Sequence, residues 1–464
     1  MPDPDPNPIS TPASDLPPEA LALLPPDEPV RLAITTDIQL DGLYGPAWLL
    51  ATDKRLLAYS PDGSGPPDVI DLPLAEVESL EIQDLYGSGA LKVRTQTAGQ
   101  TVAISVCDIT RPMPSATVLP VVLDTIAHVP TDQITILIAS GSHRATTHDE
   151  LVEILGAGVV DRYRIVVHDA FDDAQLTSLG EVENRIPVWL NRTWVEADVR
   201  ITTGFVEPHF FAGFSGGPKM VAPGLAGFKT IMRLHDAEMI RHPNARWGVT
   251  EGNPIHDGVR RIAALSGVDF SVDVAINRDR QVTHVAAGEL CVVHRAVCGV
   301  VKRTAMQAFA QPFDVVVTTN SGYPLDQNLY QTVKGMSAAV QVVKPGGVIV
   351  CASECSDGFP SHGEYVPILT ERDSVEGLLE MINTPGHNRH DQWEVQVQAQ
   401  IQQHAEVLLK TDGLSADQVR SAHLTPIDDV GAATDDALRR FGPTARLCVL
   451  PEGPQTIPYL SEGA

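Results

Sequence analysis

The distribution of apolar and polar positions divides the chain into three parts. Ten of the first 30 residues are proline, which fixes φ and removes N–H donors, so residues 1–26 are predicted to form a disordered tail. Residues 27–100 contain short alternating stretches separated by turn formers such as SPDGSG, which predicts a small β-rich module. After residue 100, apolar strands alternate with polar turns and helical stretches, which is typical of βαβ units and parallel sheets.

The α/β part contains two successive sets of this pattern. We expect two Rossmann-like α/β domains, the first over residues 101–267 and the second over residues 268–464. Ligands bind at the carboxyl ends of the strands in such sheets. The active site is therefore expected in the cleft between the two domains, among polar residues that follow predicted strands.

Composition narrows the class of protein. Of the 464 residues, 43% are hydrophobic and 20% charged, as in ordinary globular proteins. The formal net charge of −26 argues against nucleic acid and against an anionic membrane surface as partners. The sequence has neither an apolar run of about 18 residues nor the basic start and apolar stretch of a signal peptide. The six cysteines show no CxxC spacing, so a reduced, cytoplasmic setting is predicted.

Two polar segments follow the first strands of the α/β part. Asp108 and Arg111 stand three positions apart after a strand, and together they could bind an anion at a helix N-terminus. An N-capping Asp beside a solvated Arg is the alternative. His143 follows the next strand among small residues, where it could act as a general base or serve as a structural histidine in a turn.

A glycine-rich segment, EPHFFAGFSGGPKM, carries His209 and Lys219. Its glycines let the backbone approach a ligand closely, and the lysine could anchor a ligand covalently or bind an anion. A tight turn between domains is the alternative. His235 follows on a predicted helix without any metal-binding spacing, so it would be an ordinary helix histidine unless a cofactor supplied the other ligands.

Three residues in the second domain are further candidates. Gln331 and Lys334 are spaced to share one helical face, from which they could bind a small carboxylate. A solvated helix face would explain the same pair. Trp393 could form the wall of an apolar pocket, or it could lie in the core.

Taken in order, these segments resemble the nickel-dependent lactate racemases. The resemblance covers roughly residues 101–450, and a separate, weak resemblance of WLLATDKRLLAYS to bacterial pleckstrin-homology-like modules carries no chemistry. The racemase motifs are D-x-T-R-P at Asp108–Pro112, G-[ST]-H-R at Gly141–Arg144, H-[FY]-x-A-G-F-S-G-G-x-K at His209–Lys219, the later His235, G-N-P at Gly252–Pro254 and G-Y-P-L-D-Q-N-x-Y-Q-x-V-K-G at Gly322–Gly335. Pro218 stands where many members of the family have arginine.

The resemblance implies a cofactor and a set of site residues. The cofactor of that family is the nickel-pincer nucleotide, a pyridinium mononucleotide that binds nickel(II) through two sulfurs and a ring carbon. By resemblance, Lys219 would hold it through a thioamide, and His235 would be the protein's ligand to the metal. The resemblance also implies that the cofactor is bordered by Asp108, Ile109, Thr110 and Arg111. It implies that the acid/base catalysts are His143 and His209. It implies that the substrate is bound by Arg111, Gln331, Lys334 and Trp393.

The implied activity is racemisation or epimerisation of a small 2-hydroxy acid, lactate or a relative. Taking a proton from Cα would build a second negative charge beside the carboxylate, so reversible hydride transfer to the cofactor is the expected route. Two histidines, one for each face, then handle the hydroxyl proton. The expected partners are the small substrate and the enzymes that build the cofactor. A non-racemising redox or lyase enzyme acting on hydroxy acids, and a cofactor-binding sensory protein, are the alternatives.

Overall fold

A computed structural model describes residues 16–26, 28–38, 44–61, 67–85, 88–95, 100–361 and 363–461. The chain divides into two compact units, Met1–Gln100 and Thr101–Ala464. The division coincides with the change of pattern in the sequence. The architecture is mixed α/β with parallel sheets in the second unit.

The first unit is built mainly from antiparallel strands. Strands β1 to β4 form one sheet in chain order, and β5 pairs with β6 in a separate hairpin. Its elements are α1 Pro18–Ala22, β1 Leu32–Ile38, β2 Tyr44–Ala51, β3 Arg55–Ser60, β4 Asp68–Pro73, β5 Val77–Leu85 and β6 Ser88–Thr95.

The prediction of a disordered tail over residues 1–26 is wrong for its last part. Residues 1–15 lie outside the described residues, but helix α1 follows directly, with Pro18 at its start, where a missing N–H costs nothing. Leu16, Ala20 and Leu24 recur at helical spacing and are buried against the sheet in one cluster with Leu50. The proline content concealed this short apolar stripe.

The first lobe of the second unit extends from Thr101 to Ala305. Its sheet has the strand order β16-β15-β12-β7-β8-β9, parallel except for β16. Its strands are β7 Val102–Cys107, β8 Ile134–Ala139, β9 Arg164–Val167, β10 Leu176–Val182, β11 Ile186–Asn191, β12 Val199–Phe205, β13 Pro208–His209, β14 Gly213–Phe214, β15 Phe270–Ile276 and β16 Val282–Gly288. Its helices are α2 Ser115–Thr125, α3 His148–Leu155, α4 Ala157–Val160, α5 Arg192–Glu196, α6 Phe228–Leu234, α7 Ala237–Ile240, α8 Pro254–Ser266 and α9 Leu290–Ala305.

The second lobe has a parallel sheet in the order β21-β20-β19-β18-β22, and β17 pairs with β23 beside it. Its strands are β17 Met306–Phe309, β18 Phe313–Thr319, β19 Val343–Ala352, β20 Glu406–Lys410, β21 Thr425–Pro426, β22 Leu447–Leu450 and β23 Ile457–Leu460. Its helices are α10 Leu329–Ala339, α11 Tyr365–Leu369, α12 Val375–Ile382, α13 Gln392–His404, α14 Ala416–Ser421 and α15 Val430–Phe441.

The boundary predicted between residues 267 and 268 falls inside the first lobe. Strand β15 pairs in parallel with β12, and β16 returns antiparallel beside it, so both strands extend the first sheet. Helix α9 packs on β15 and β16. The sheet pairing therefore places the change of lobe near residue 306, because strand pairing across the sheet, which the local pattern does not reveal, decides where β15 belongs.

Central strands of both lobes are largely buried. All six residues of β7 are buried, as expected for a parallel strand covered on both faces. Polar residues begin where these strands end, which brings loops from several strands to the same edge of a sheet. Within the described residues, none of the helices has the length and apolar character needed to cross a membrane.

Candidate active site

Asp108 and His143 meet at the carboxyl ends of the adjacent strands β7 and β8. His143 Nδ1 lies 2.7 Å from Asp108 Oδ2, while Asp108 Oδ1 accepts hydrogen bonds from the backbone N–H and the hydroxyl of Thr110, at 3.2 and 2.6 Å. Burial opposes ionisation of Asp108, but His143 and Thr110 hold its pKa below the ordinary value. The Asp108 side chain does not cap α2, which begins only at Ser115, so the helix N-terminus expected there is displaced.

Arg111 extends from the same turn toward the loop after β12. Its Nε lies 3.8 Å from Glu207 Oε1, and its side chain is about one-third exposed, at 31%. The guanidinium also donates to the carbonyl and hydroxyl of Thr110. Its ion pair is therefore loose, which leaves donors available for an anion.

His209 lies in the short hairpin β13–β14, which follows β12. Its ring stacks on Phe210 at 5.1 Å between centres and meets the edge of Phe211 at 4.6 Å. Burial and the positive charges of Lys219 and Arg111 lower the pKa of His209 well below its ordinary value. His209 is therefore neutral at physiological pH.

The G-N-P motif supports this hairpin. Asn253 caps α8 by accepting the N–H groups of Ile255 and His256. Its amide also donates to the carbonyls of Phe211 and Val249, both at 2.9 Å. One asparagine thus starts a helix and fixes the loop that carries His209.

Lys219 lies in a 3-10 helix, Gly217–Met220, at the end of the glycine-rich segment. Gly217 has φ +48°, and a Cβ there would lie 2.4 Å from the His294 ring, so only glycine fits. The Lys219 ammonium lies 5.9 Å from the centre of the Phe211 ring. Burial, with Arg111 nearby, lowers the pKa of Lys219 to about 7, so much of the amine is neutral at physiological pH.

His235 ends helix α6 and is buried. Its Nδ1 lies 2.8 Å from the carbonyl oxygen of Ile231, so Nδ1 is protonated and donates, and the Nε2 lone pair is free. A metal-binding histidine usually donates its other ring N–H to a carbonyl oxygen in this way. Burial lowers the pKa of His235 to about 4, which keeps the ring available as a ligand.

Gln331 and Lys334 lie on the first turns of α10 in the second lobe. Lys334 Nζ donates to Gln331 Oε1 at 2.6 Å, so the two side chains share one face as their spacing indicates. Burial and the charge of Arg111 lower the pKa of Lys334, while the carboxylate of Glu394 acts in the opposite direction. The helix approaches β18 closely because position 335 is glycine, whose Cβ would lie 2.3 Å from the Thr319 carbonyl.

Trp393 joins the two lobes. Its ring centre lies 5.0 Å from that of His235, and its indole N–H donates to the Tyr330 hydroxyl at 3.2 Å. Most of its surface is buried among first-lobe side chains. The structure thus makes Trp393 both a core residue and a neighbour of the site.

Two family models match the chain. One, the lactate racemase N-terminal domain, matches residues 79–248, and the other, the lactate racemase C-terminal domain, matches residues 308–457. The chain belongs to the lactate racemase family. This racemase is accordingly an isomerase. The N-terminal match starts inside β5, earlier than the expected start near residue 101, so part of the first unit belongs to the family plan.

Two curated lactate racemases are similar to it over most of their length. That of Lactiplantibacillus plantarum is 36% identical over 384 residues, or 82% of this chain and 90% of that protein. That of Thermoanaerobacterium thermosaccharolyticum is 36% identical over 361 residues, or 77% and 84%.

Solved structures extend the comparison. The lactate racemase apoprotein from Thermoanaerobacterium thermosaccharolyticum superimposes with a TM-score of 0.74 at 32% identity, covering 87% of this chain and 99% of that chain. A protein from Thermotoga maritima gives a TM-score of 0.61 at 19% identity, covering 78% and 94%, which supports the fold alone.

Sequence reasoning missed two charged residues of the racemase. Glu207 pairs with Arg111 and opposes the lowering of the pKa of Lys219. Glu394, next to Trp393, is fully buried near Lys334, and burial raises its pKa. Adjacency to His209 and to Trp393 was the available signal for each.

Proposed function

We propose that this enzyme interconverts the enantiomers of a small 2-hydroxy acid, lactate or a close relative, with a nickel-pincer nucleotide as its cofactor. We take the two lobes as Rossmann-like halves that enclose the site. One observation carries the proposal. The Lys219 amine and His235, a histidine with a free Nε2, lie among cations that could bind the carboxylate of a 2-hydroxy acid and histidines that could move its hydroxyl proton.

The residues fit this cofactor by their chemistry. A thioamide can form only from an unprotonated amine, and the lowered pKa of Lys219 provides one near neutrality. His235 would offer Nε2 to nickel, since Nδ1 donates to Ile231. The segment Asp108 to Arg111, including Ile109 and Thr110, would border the nucleotide. Pro218 supplies no cation to it, where many members of the family have arginine.

Substrate binding would rest on charges from both lobes. Lys334 and Gln331 would hold the substrate carboxylate from the second lobe, with Arg111 facing it from the first. Their positive field admits an anion to a protein whose formal net charge is −26. Trp393 would close the apolar side of the pocket and restrict water.

The two histidines would handle the hydroxyl proton. When bound, the cofactor supplies a reversible acceptor for the hydride of Cα. His143 would take the hydroxyl proton of one enantiomer, and His209 would do so for the other. Rotation of the planar 2-keto acid while its carboxylate stays bound would then lead to inversion.

The test is to produce the protein together with the enzymes that build the cofactor and to measure intact mass and nickel content. We expect a nucleotide-sized adduct and one nickel per chain. Lys219→Ala should lose the adduct, and Lys219→Arg should lose it equally, because a guanidinium forms no thioamide. Lys302→Ala is the matched control, because that ammonium lies over the Tyr459 ring. Wild-type protein without an adduct would contradict the proposal.

The reaction is tested separately with a panel of 2-hydroxy acids in deuterium oxide. Inversion with little deuterium at Cα is expected, because the hydride returns to the carbon that it left. Extensive incorporation would indicate proton abstraction instead. A 2-keto acid or an elimination product without inversion would favour the redox or lyase alternative.

A further inference from the structure

The hydrogen bonds of Asp108 give it a role beyond a border of the cofactor. We propose that Asp108 is a positioning residue that fixes His143 in the tautomer with its proton on Nδ1, leaving Nε2 as the base that meets the substrate. The proposal rests on the proposed function. It adds which atom of His143 acts and what selects that atom.

For a neutral His143, the geometry allows one assignment of the proton at this pair. Asp108 is 5% exposed and, as a carboxylate, can only accept hydrogen bonds. Both donors of Thr110 bind Oδ1, so Oδ2 is left for His143 at 2.7 Å. A neutral His143 facing Oδ2 must place its hydrogen on Nδ1. The Nε2 lone pair then points away from the carboxylate, on a ring that is about half exposed, at 49%.

The other histidine is arranged in the opposite way. Nδ1 of His209 accepts the backbone N–H of Ala212 at 3.3 Å, so a neutral His209 carries its proton on Nε2. When both rings are neutral, the enzyme presents a lone pair from His143 and an N–H from His209. In this state His143 can accept the hydroxyl proton of the substrate, while His209 donates a hydrogen bond to the substrate oxygen; His209 acts as a base only in its other tautomer.

Asp108→Asn tests this arrangement without changing the size of the side chain. The two donors of Thr110 would keep the amide oxygen at the Oδ1 position, so the amide NH₂ would face Nδ1 of His143. His143 would then move its proton to Nε2 and lose its base. We expect kcat to fall by at least about 100-fold, within the range for a lost general base. Adduct and nickel content should stay at the wild-type level.

Asp314→Asn is the matched control. Asp314 is 8% exposed and accepts hydrogen bonds from Lys344 and from the backbone of Arg446, at the start of β18. It measures the general effect of losing a buried carboxylate without touching a histidine. Turnover by this variant should stay within about threefold of wild type, as expected for a change outside the catalytic machinery.

The tautomer is read directly from nitrogen-15 spectra of histidine-labelled apoprotein, with the His143 signal assigned through His143→Gln. Wild type should show a protonated Nδ1, and Asp108→Asn a protonated Nε2. A wild-type signal with the proton on Nε2 would overturn the proposal, and so would an Asp108→Asn variant that keeps its turnover. Loss of the adduct in that variant would assign Asp108 to the cofactor instead. Because the spectra need no substrate, they decide the tautomer even if the panel of acids is not racemised.

Discussion

Burial changes the charge state of individual residues in the site in different ways. It lowers the pKa of Lys219 to about 7 and that of His235 to about 4, because removing each from water penalises the cation. Asp108 is also buried, yet its hydrogen bonds hold its pKa below the ordinary value. The site thus holds a reactive amine, a neutral imidazole and a carboxylate within one region.

The state of Lys219 predicts how its reactivity depends on pH. A lowered pKa means that the amine loses its proton as pH rises through about 7, well below the 10.4 of an ordinary lysine. In apoprotein, labelling of Lys219 by a small acylating reagent should reach half its maximal rate near pH 7. Peptide mass spectrometry after brief labelling at pH 5 to 10 measures this rate. A half-maximum above pH 9 would show that the amine is solvated.

Most residues of the site could be predicted from the sequence because they lie in motifs at strand ends. His143, His209 and Lys219 are examples, and the structure brings them to the same edge of the first sheet. Glu207 and Glu394 could not be, because a carboxylate acquires its importance from the cation that folding places beside it. No local pattern distinguishes such a residue from a solvated one.

At the scale of single elements, a helix start positions the residues proposed to bind the substrate. Asn328 is buried and caps α10 by accepting the N–H of Gln331 at 3.1 Å, in the turn that also directs Lys334. The cap therefore links the stability of the helix to the geometry of binding.

Asn328→Ala should affect stability and binding together. Loss of the cap should lower the free energy of unfolding by about 1 kcal/mol. KM should rise several-fold with a smaller change in kcat, because the first turn of α10, which holds Gln331 and Lys334, would no longer be fixed by its cap. Denaturant unfolding and initial rates measure both quantities. Asp429→Ala removes the cap of α15 and should cost similar stability with KM unchanged; equal KM values in the two variants would refute the link.

Elements were predicted unevenly. Strand β7 is fully buried and β18 is buried over most of its length, so their largely apolar runs could be recognised, whereas the polar sequence of helix α13 is typical of an exposed helix. In fact its glutamines at positions 392, 396 and 398 are fully buried with Trp393. Gln396 bonds to Ala237 of the first lobe and Gln398 to Ala422 of its own lobe, and periodicity cannot identify polar side chains that folding covers from both sides.

At the scale of the whole molecule, side chains from each lobe donate hydrogen bonds to the other lobe. The Trp247 indole donates to the carbonyl and the hydroxyl of Ser337, both at 3.2 Å, across to α10. The Gln396 amide donates to the carbonyl of Ala237 at 2.9 Å. We therefore expect residues 101–464 to unfold as one cooperative unit.

Trp247→Phe tests this coupling, because it keeps an aromatic ring and removes the N–H. Losing these hydrogen bonds should cost about 1 kcal/mol, because the Ser337 carbonyl still accepts from Gln341, and should reduce the cooperativity between the lobes. Denaturant unfolding should show a smaller m-value or two transitions. Trp194→Phe is the control, because its indole bonds Ser266 inside the first lobe. Equal m-values in the two variants would contradict the expectation.

The facing cations of the two lobes have a consequence for how the protein responds to small anions. The charges of Arg111 and Lys334 repel one another across the lobes, and Glu207 and Glu394 offset this only in part. A small monoanion that is not a substrate, such as formate, would bind between the two cations, relieve this repulsion and draw the lobes together. The stability of the protein in storage would then depend on which anion the buffer contains, and not on ionic strength alone. The same anions would act as weak competitive inhibitors.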